Sequence, residues 1–318
     1  MKVAIVGGSG MLGRHIAAGL AARGTDVVIL TRDASSAKRN RSARVSVRGW
    51  SVADRTGLAH ALAGVDAVIN LAGVPVGPRP WTRARKRSIV GSRLAATRAI
   101  VAALAEVPSA DRPRILVSAS GTDTYTGLDR IPATEATPPS GGFLARVCLA
   151  WEAAALAARS SEVRVVVLRM GFVLACDAPS LGLYALPFRV GLGGPIGHGQ
   201  QWMSWIHVDD LVALTLFVLD QPRAAGIVNA VGPVPARQAE VADAIGAALR
   251  RPSWLAVPAW LVRAVMRSQA ILPLGSRRIA PARALELGFQ FGWPDLRAAM
   301  ADVLRPGDRR VDAGRSVR

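Results

Sequence analysis

The residues with the clearest chemical pattern lie near the first residue. Val3–Val6 has the apolar character of a buried strand, and Gly7, Gly10 and Gly13 follow it at three-residue intervals before a helical pattern begins. In this context the first glycine permits a tight turn and the second lets backbone approach a pyrophosphate. The third lets the helix pack closely, with its N-terminus facing the anion. The sequence therefore predicts a dinucleotide-phosphate loop formed by Gly7, Ser9, Gly10, Met11, Leu12 and Gly13.

The end of the second predicted strand indicates which dinucleotide is bound. Enzymes that use NAD usually carry Asp or Glu there to bind the ribose hydroxyls, whereas this chain has Thr31 and Arg32. A guanidinium suits a 2′-phosphate, so the sequence predicts NADP(H). NAD stays open as the alternative, because Asp33 follows one position later and Arg32 is also explained as one more solvated arginine.

A polar loop after the fifth predicted strand supplies candidates for proton transfer. It spans residues 118–127 and contains Ser120, Asp123 and Tyr125, and open α/β sheets build their sites at the carboxyl ends of strands. We expect Tyr125 to act as general acid, with Asp123, water or the substrate itself as alternatives. With no lysine nearby, the pKa of Tyr125 should stay near ~10. The hydroxyl would then donate a proton better than it accepts one, which favours reduction over alcohol oxidation.

Two histidines have different expected roles. His198 lies in a glycine-rich stretch and could contact substrate or supply a proton near neutral pH, with an exposed loop histidine as the alternative. His207 precedes Asp209 and Asp210 at a strand-to-helix junction, where we expect the aspartates to cap the helix. No spacing of His, Cys, Asp and Glu suggests a metal site.

The elements that would position these residues alternate along the first 170 residues. Predicted strands cover Lys2–Val6, Asp26–Leu30, Ala43–Val47, Ala67–Leu71, Arg114–Val117 and Arg164–Leu168. Predicted helices cover 11–23, 55–63, 83–106 and 143–159. Such alternation predicts an α/β fold, a Rossmann-type doubly wound parallel sheet with a smaller C-terminal substrate or cap region.

The same pattern suggests how the chain is divided. Residues 1–170 form the predicted NAD(P)-binding domain, and 171–304 form an interleaved substrate-binding and cap region. Within that region a strand at 203–208, a helix at 209–220 and a strand at 227–231 are expected to return to the Rossmann body, and a helix follows near 236–250. The basic segment 305–318 is predicted to be a disordered tail.

Composition and charge exclude several classes of protein. The chain has 318 residues, a net charge of +18 and only three lysines, Lys2, Lys38 and Lys86. Arginine is spread along the chain, with a denser patch at 79–93, and we expect no specific nucleic-acid motif. A bias towards arginine in the coding sequence explains that patch, and a surface for an anionic partner is the alternative. The apolar runs are shorter than a membrane span requires, and Cys148 and Cys176 cannot build a disulfide framework. We expect a cytoplasmic protein without membrane contact.

Several longer motifs resemble one protein family. They are NLAG (70–73), Trp81 with Ser92 and Arg93, FLARVCLAWE (143–152), LRMGFVL (168–174), GLGGPIGHGQQWMSWIHVDD (191–210) and LELGFQFGWPDLRAAM (285–300). Together with the glycine loop they are similar to the extended short-chain dehydrogenase/reductase superfamily, and within it to the atypical branch of epimerase family proteins. The resemblance covers residues 1–304 and implies a C-terminal domain of uncharacterised function.

The resemblance also implies roles for individual residues. Ser120 matches the active-site Ser or Thr of the superfamily and is expected to hold the substrate oxygen. Leu71, Ala72, Gly73, Ser118, Cys148 and Gly171 are expected to contact the cofactor.

The superfamily's Tyr-x-x-x-Lys dyad is absent from this chain. Its lysine lies one helical turn after the tyrosine and lowers the tyrosine pKa. Here Tyr125 is followed at the fourth position by Asp129 and Tyr184 by Phe188, and no lysine occurs after Lys86. Leu144 and Cys148 take the two dyad positions in the helix, and Cys148 is either a nicotinamide-ribose contact or a small core residue.

The sequence predicts an NADP(H)-dependent oxidoreductase or epimerase-like enzyme that works without the dyad. Its substrate would be a partly hydrophobic small molecule, reduced at a carbonyl or activated double bond. The alternatives are a sugar-nucleotide epimerase/dehydratase and a catalytically silent NADP(H)-binding sensor or partner-binding protein. Whether the chain is a monomer or a homodimer stays open.

Overall fold

A seven-stranded parallel sheet organises the molecule. The structure, a computed structural model, describes residues 1–32, 43–77 and 79–305. The strands of the central sheet follow the order β11-β7-β5-β4-β1-β2-β3. They are β1 (Lys2–Val6), β2 (Asp26–Thr31), β3 (Val45–Gly49), β4 (Ala67–Asn70), β5 (Ile115–Gly121), β7 (Arg164–Met170) and β11 (Gly226–Ala230). Short pairs outside this sheet use β6 (Leu128–Ala133), β8 (Phe172–Leu174), β9 (Trp202–Met203), β10 (Trp205–His207), β12 (Ala236–Arg237) and β13 (Arg277–Ile279).

Helices cover both faces of the sheet, as its apolar strands require. They are α1 (Met11–Ala22), α2 (Arg55–Leu62), α3 (Arg83–Glu106), α4 (Phe143–Leu156), α5 (Pro179–Arg189), α6 (Val208–Asp220), α7 (Gln238–Leu249), α8 (Ala259–Met266), α9 (Ile271–Leu274), α10 (Ala282–Glu286) and α11 (Leu296–Leu304). One core contains apolar residues of α1 and α6, and the core on the opposite face contains those of α2, α3 and α4. The predicted doubly wound Rossmann-type fold is confirmed.

The second half differs from the sequence-based elements at two places. The sequence pattern assigns no element to residues 171–200, but β8 and the helix α5 lie there. That helix begins with Pro179, a favourable first helical residue, and its internal Pro187 obscures the helical pattern. The predicted strand over 203–208 is broken at Ser204 into β9 and β10. The Ser204 hydroxyl donates to Arg277 O at 2.8 Å and accepts the N–H of Ile279 at 2.9 Å, which ties this residue to β13.

The predicted cap of α6 is also wrong. The Nδ1 atom of His207 accepts the N–H of Asp209 at 3.2 Å, so the histidine itself is the capping residue. The carboxylate of Asp210 instead accepts the N–H groups of Gly292 and Trp293, at 2.8 and 3.0 Å. These bonds connect α6 to the C-terminal region, which packs α5, α7 and α11 around a third apolar core.

Within the described part of the chain, one helix, α3, is long and apolar enough to cross a membrane. Its residues Ile100, Ala103 and Leu104 are fully buried in the core that it shares with α2 and α4. One side of α3 thus packs into this core, and 33% of its apolar window is buried.

Candidate functional site

The glycine loop has the geometry of an anion cradle. Gly7 has φ +83°, and a Cβ there would lie 3.0 Å from the Leu71 backbone, so only glycine fits this turn. A Cβ on Gly13 would lie 2.4 Å from the Cα of Gly8, so this position must also be glycine for α1 to approach the turn. Gly10 caps α1 without a side-chain hydrogen bond, and no acidic residue occupies the first helical turn. The N–H groups of this helix end are therefore suited to a phosphate.

Ser9 and Thr31 lie together beside this cradle. Their hydroxyls are 3.2 Å apart, which places the loop next to the carboxyl end of β2. Arg32 follows Thr31 directly and is exposed, and Asp33 lies outside the described residues. A hydroxyl pair next to an exposed guanidinium fits the ribose 2′-phosphate of NADP(H).

The expected cofactor contacts that follow β4, β5 and β7 fall into two groups. Leu71, Ala72 and Gly73 follow the carboxyl end of β4. All three are at least partly exposed, so a cofactor can reach them. Ser118 is fully buried, and its hydroxyl accepts Nδ2 of Asn70 at 3.3 Å. Gly171 has a packing role, since a Cβ there would lie 2.6 Å from Ser204 O. The first three residues are therefore accessible from the carboxyl end of β4, whereas Ser118 and Gly171 have internal contacts.

Tyr125 and Ser120 belong to a buried polar cluster that also contains Glu152 and Arg169. Arg169 donates Nε and Nη2 to the two oxygens of Glu152, at 2.8 and 2.7 Å, and donates Nη1 to the Tyr125 hydroxyl. Ser120 donates its hydroxyl to Glu152 Oε1 at 2.6 Å. Bidentate, charge-assisted bonds of this kind hold all four side chains in one arrangement.

This cluster corrects the expectation for Tyr125. The side chain is 0% exposed, and burial raises its pKa above the ordinary value although Arg169 acts in the opposite direction. The predicted pKa near ~10 is therefore wrong. The Tyr125 and Ser120 hydroxyls are both buried and are both bonded to other side chains of this cluster.

Cys148, at the position of the dyad lysine, is a buried neutral thiol. Burial raises its pKa to about 12, and the carboxylate of Asp123 adds to that shift. A Cβ on Gly121 would lie 3.3 Å from both the Cys148 sulfur and Asp123 Oδ2, so the glycine leaves room for these two groups to lie close to the end of β5. A thiol that stays protonated at neutral pH is a weak nucleophile.

A cavity of about 260 Å³ opens beside this end of α4. Its wall contains Asp123 from the short 3-10 turn after β5 and Lys86 from the first turns of α3. The other lining residues are Trp81, Thr126, Gly141, Gly142, Phe143, Leu144, Ala145, Ser268 and Ile271. The cavity is therefore a mostly apolar pocket with one cation and one anion, the usual composition of a small-molecule site.

Both charged groups in the cavity are held by neighbours. Asp123 Oδ1 accepts Nη2 of Arg277 at 2.8 Å. The Lys86 ammonium lies 5.2 Å from the centre of the Phe143 ring and 5.9 Å from that of Trp81, within the range of a cation–π contact. The sequence did not predict that Lys86 lines this cavity, although its being one of only three lysines in an arginine-rich chain was an available signal.

His198 and most of the basic patch do not line this cavity. His198 is exposed, and its Nδ1 accepts the N–H of Gln200 at 3.0 Å. Within the patch, Arg93 donates to Val74 O at 3.0 Å and Arg85 donates to Pro75 O. These two arginines fix the loop after β4.

Comparison with known proteins agrees with this architecture. Residues 3–231 match the model of the NAD dependent epimerase/dehydratase family, and residues 257–303 match a domain of unknown function, DUF1731. The chain is 36% identical over 305 residues to the chloroplastic epimerase family protein SDR39U1 homolog of Arabidopsis thaliana, covering 96% of this chain and 87% of that protein. It is 33% identical over 310 residues to human epimerase family protein SDR39U1, covering 96% and 100%.

A solved structure of the human protein has the same fold. The crystal structure of human SDR39U1 isoform 2 with NADPH superposes with a TM-score of 0.85 and 32% identity, covering 96% of this chain and 100% of that one. A UDP-glucose 4-epimerase from Thermotoga maritima shares the fold at a TM-score of 0.76 and 14% identity. The match over residues 3–231 and the relatives that span nearly the whole chain place this protein in the NAD dependent epimerase/dehydratase family.

Proposed function

We propose that this protein is an NADP(H)-dependent oxidoreductase that reduces a carbonyl or activated double bond of a partly apolar small molecule. The observation that carries the proposal is the cavity beside α4, which combines an apolar wall with Lys86 and Asp123.

Monomer and homodimer both suit the proposal. We assign it to the cytoplasm, noting that the Arabidopsis relative is named as chloroplastic.

The glycine loop fits NADP(H) as the cofactor, and the human relative was crystallised with NADPH. When bound, NADPH supplies the hydride. The uncapped N-terminus of α1 would bind the pyrophosphate, and Ser9, Thr31 and Arg32 would bind the 2′-phosphate. Leu71, Ala72 and Gly73 would contact the nicotinamide side.

Replacing Arg32 with alanine should weaken NADPH binding and leave NADH binding unchanged. Loss of a hydrogen bond between charged groups costs ~1–3 kcal/mol, or about 5- to 150-fold in Kd. Isothermal titration with each cofactor measures the change, with Arg98→Ala on α3 as a control that removes an exposed arginine elsewhere. Equal losses for NADPH and NADH would refute the assignment of Arg32 to the 2′-phosphate.

Lys86 is the group best placed to complete the reduction. Reduction of a carbonyl adds a hydride to carbon and a proton to oxygen, so the site needs a donor at the oxygen. The Lys86 ammonium lines the cavity; it can donate a hydrogen bond to this oxygen, stabilise negative charge there and release a proton that water later restores. Asp123, fixed by Arg277, holds a polar substituent of the substrate by accepting a hydrogen bond.

Replacing Lys86 with methionine should lower kcat about 100-fold, the lower end of the usual range for a general acid. The measurement is oxidation of NADPH with a panel of apolar ketones, enals and enones, and NADPH affinity should not change. Lys2→Met is the matched control, because Lys2 begins β1 and does not line the cavity. Lys86→Arg keeps the positive charge, but a guanidinium does not release a proton as an ammonium does. Compared with Lys86→Met, this variant should therefore bind substrate better but turn over no faster.

The same experiment separates the alternatives. Turnover unchanged in Lys86→Met would place the proton donor elsewhere. NADPH bound by the parent protein without oxidation across the panel would favour the silent sensor. Interconversion of sugar nucleotides with NAD would favour the epimerase, a reaction that also requires removal of a proton from the substrate.

A further inference from the structure

Exposed apolar side chains are concentrated on one part of the molecule. Of the fifteen large apolar residues that are exposed in the described part of the chain, ten lie in residues 183–192 or 254–271. They include the two most exposed tryptophans, Trp254 and Trp260, at 68% and 69%, and Val265 at 74%. The others are Leu183, Leu186, Val190, Leu192, Leu255, Leu261 and Ile271. Soluble surfaces usually scatter such residues singly, so a concentration of this size indicates an interaction site.

The two segments are joined by backbone hydrogen bonds. Leu255 N donates to Gly193 O at 3.1 Å, Val257 N donates to Pro195 O at 2.8 Å, and Gly197 N donates to Val257 O at 2.8 Å. This ladder places the residues after α5 beside those that lead into α8. We call the exposed apolar residues of 183–192 and 254–271 the apolar surface.

The sequence segments that contain the apolar surface carry positive charge and no negative charge. The segments 178–208 and 244–285 contain no Asp or Glu in the sequence, although they contain eight arginines. Arg189, Arg250, Arg251, Arg263 and Arg267 are exposed. Asp243, which precedes the second segment, accepts the Ser253 hydroxyl and is thereby held beside the chain.

This combination of charges and apolar groups restricts the partner. A second copy of the chain on the same face would bring two sets of arginines together, with no carboxylate in either segment to pair with them. A negatively charged lipid bilayer meets both requirements, because exposed tryptophan and leucine enter its interfacial region while arginine binds the headgroup phosphates. We infer that the apolar surface binds the protein reversibly to anionic membranes, with α8 lying in the interfacial plane.

This surface changes the sequence-based expectation of no membrane contact. That expectation rested on the length of single apolar runs, whereas the apolar surface is assembled from two segments separated by about sixty residues of sequence. The inference is independent of the proposed reaction, because it concerns residues outside the glycine loop and needs no substrate. Ile271 is the one residue common to the apolar surface and the cavity.

The test is co-sedimentation of the full chain with vesicles. Vesicles made of phosphatidylcholine and phosphatidylglycerol in equal parts should bind the protein, and vesicles of phosphatidylcholine alone should bind it at least about tenfold less, since each basic residue near an anionic surface contributes ~1 kcal/mol. Trp254→Ala combined with Trp260→Ala should lower the partition coefficient about tenfold or more. Arg263→Gln combined with Arg267→Gln should lower it similarly and weaken its dependence on salt.

Matched controls separate this surface from general charge and apolarity. Ile131→Ala removes an exposed apolar residue elsewhere, and Arg48→Gln with Arg98→Gln removes the same charge elsewhere. Both should bind like the parent, and circular dichroism checks that all variants are folded. The inference fails if anionic vesicles do not bind the parent, or if the controls lose as much binding as the tryptophan variant. It also fails if light scattering shows a dimer that the tryptophan variant abolishes, since the occupant is then a second copy.

Discussion

Replacing Gly10 with valine is expected to abolish binding of both NADPH and NADH while the protein stays folded. A Cβ at Gly10 would meet only Gly7 O, at 3.4 Å, so the protein itself has room for a side chain. The same side chain would occupy the space in front of the uncapped α1 N-terminus, where a pyrophosphate must approach the backbone. Excluding the phosphates from this helix end should cost at least ~4 kcal/mol, or about 1,000-fold in Kd.

Gly91→Val is the matched control for this experiment. Gly91 lies on α3, and a Cβ there would meet nothing within 4 Å, so the same substitution is made away from the loop. Titration calorimetry measures both cofactors, and thermal unfolding checks the fold. NADPH binding within about threefold of the parent in Gly10→Val would show that the glycine loop is not the phosphate site. Gly13 is unsuitable for this purpose, since a side chain there would collide with the Gly8 backbone.

The first half of the fold was predictable because its signals are local. The spacing of Gly7, Gly10 and Gly13 and the apolar strand before them specify a strand, a turn and a helix within some twenty residues. The predicted bounds of α3, 83–106, agree with the structure for the same reason, since Thr82 caps its N-terminus and no proline interrupts it. Local hydrogen bonding and periodicity decide such elements before tertiary contacts contribute.

The candidate site was less predictable because distant segments form it. Sequence reasoning looked for a lysine on α4, one turn from a tyrosine, whereas the cavity contains Lys86 of α3, Asp123 after β5 and Ile271 of α9. Nothing in the spacing of these residues indicates that they meet. The sequence predicted that Tyr125 lies in the loop after β5. The direction in which its hydroxyl points depends on Arg169, which lies on β7.

Replacing Arg169 with methionine is expected to lower the free energy of unfolding by ~3–5 kcal/mol, the usual cost of removing one partner of a buried ion pair. The side chains of Arg169 and Glu152 are 7% and 5% exposed. Without the guanidinium, the Glu152 carboxylate would stay buried with the Ser120 hydroxyl as its remaining side-chain donor. Burial lowers the pKa of Arg169, but the bonds to Glu152 outweigh this effect and the pKa is raised, so the guanidinium stays charged at neutral pH.

Two further variants identify the cause of that loss. Combining Glu152→Gln with Arg169→Met removes both charges, so the double variant should be more stable than Arg169→Met alone, as measured by urea unfolding at neutral pH.

Tyr125→Phe removes only the hydroxyl that Arg169 binds and should cost ~1 kcal/mol of stability. It should leave kcat within about threefold of the parent, because that hydroxyl faces the interior. If Arg169→Met loses less than ~1 kcal/mol, the ion pair does not stabilise the fold; if Tyr125→Phe lowers kcat about 100-fold, Tyr125 rather than Lys86 donates the proton.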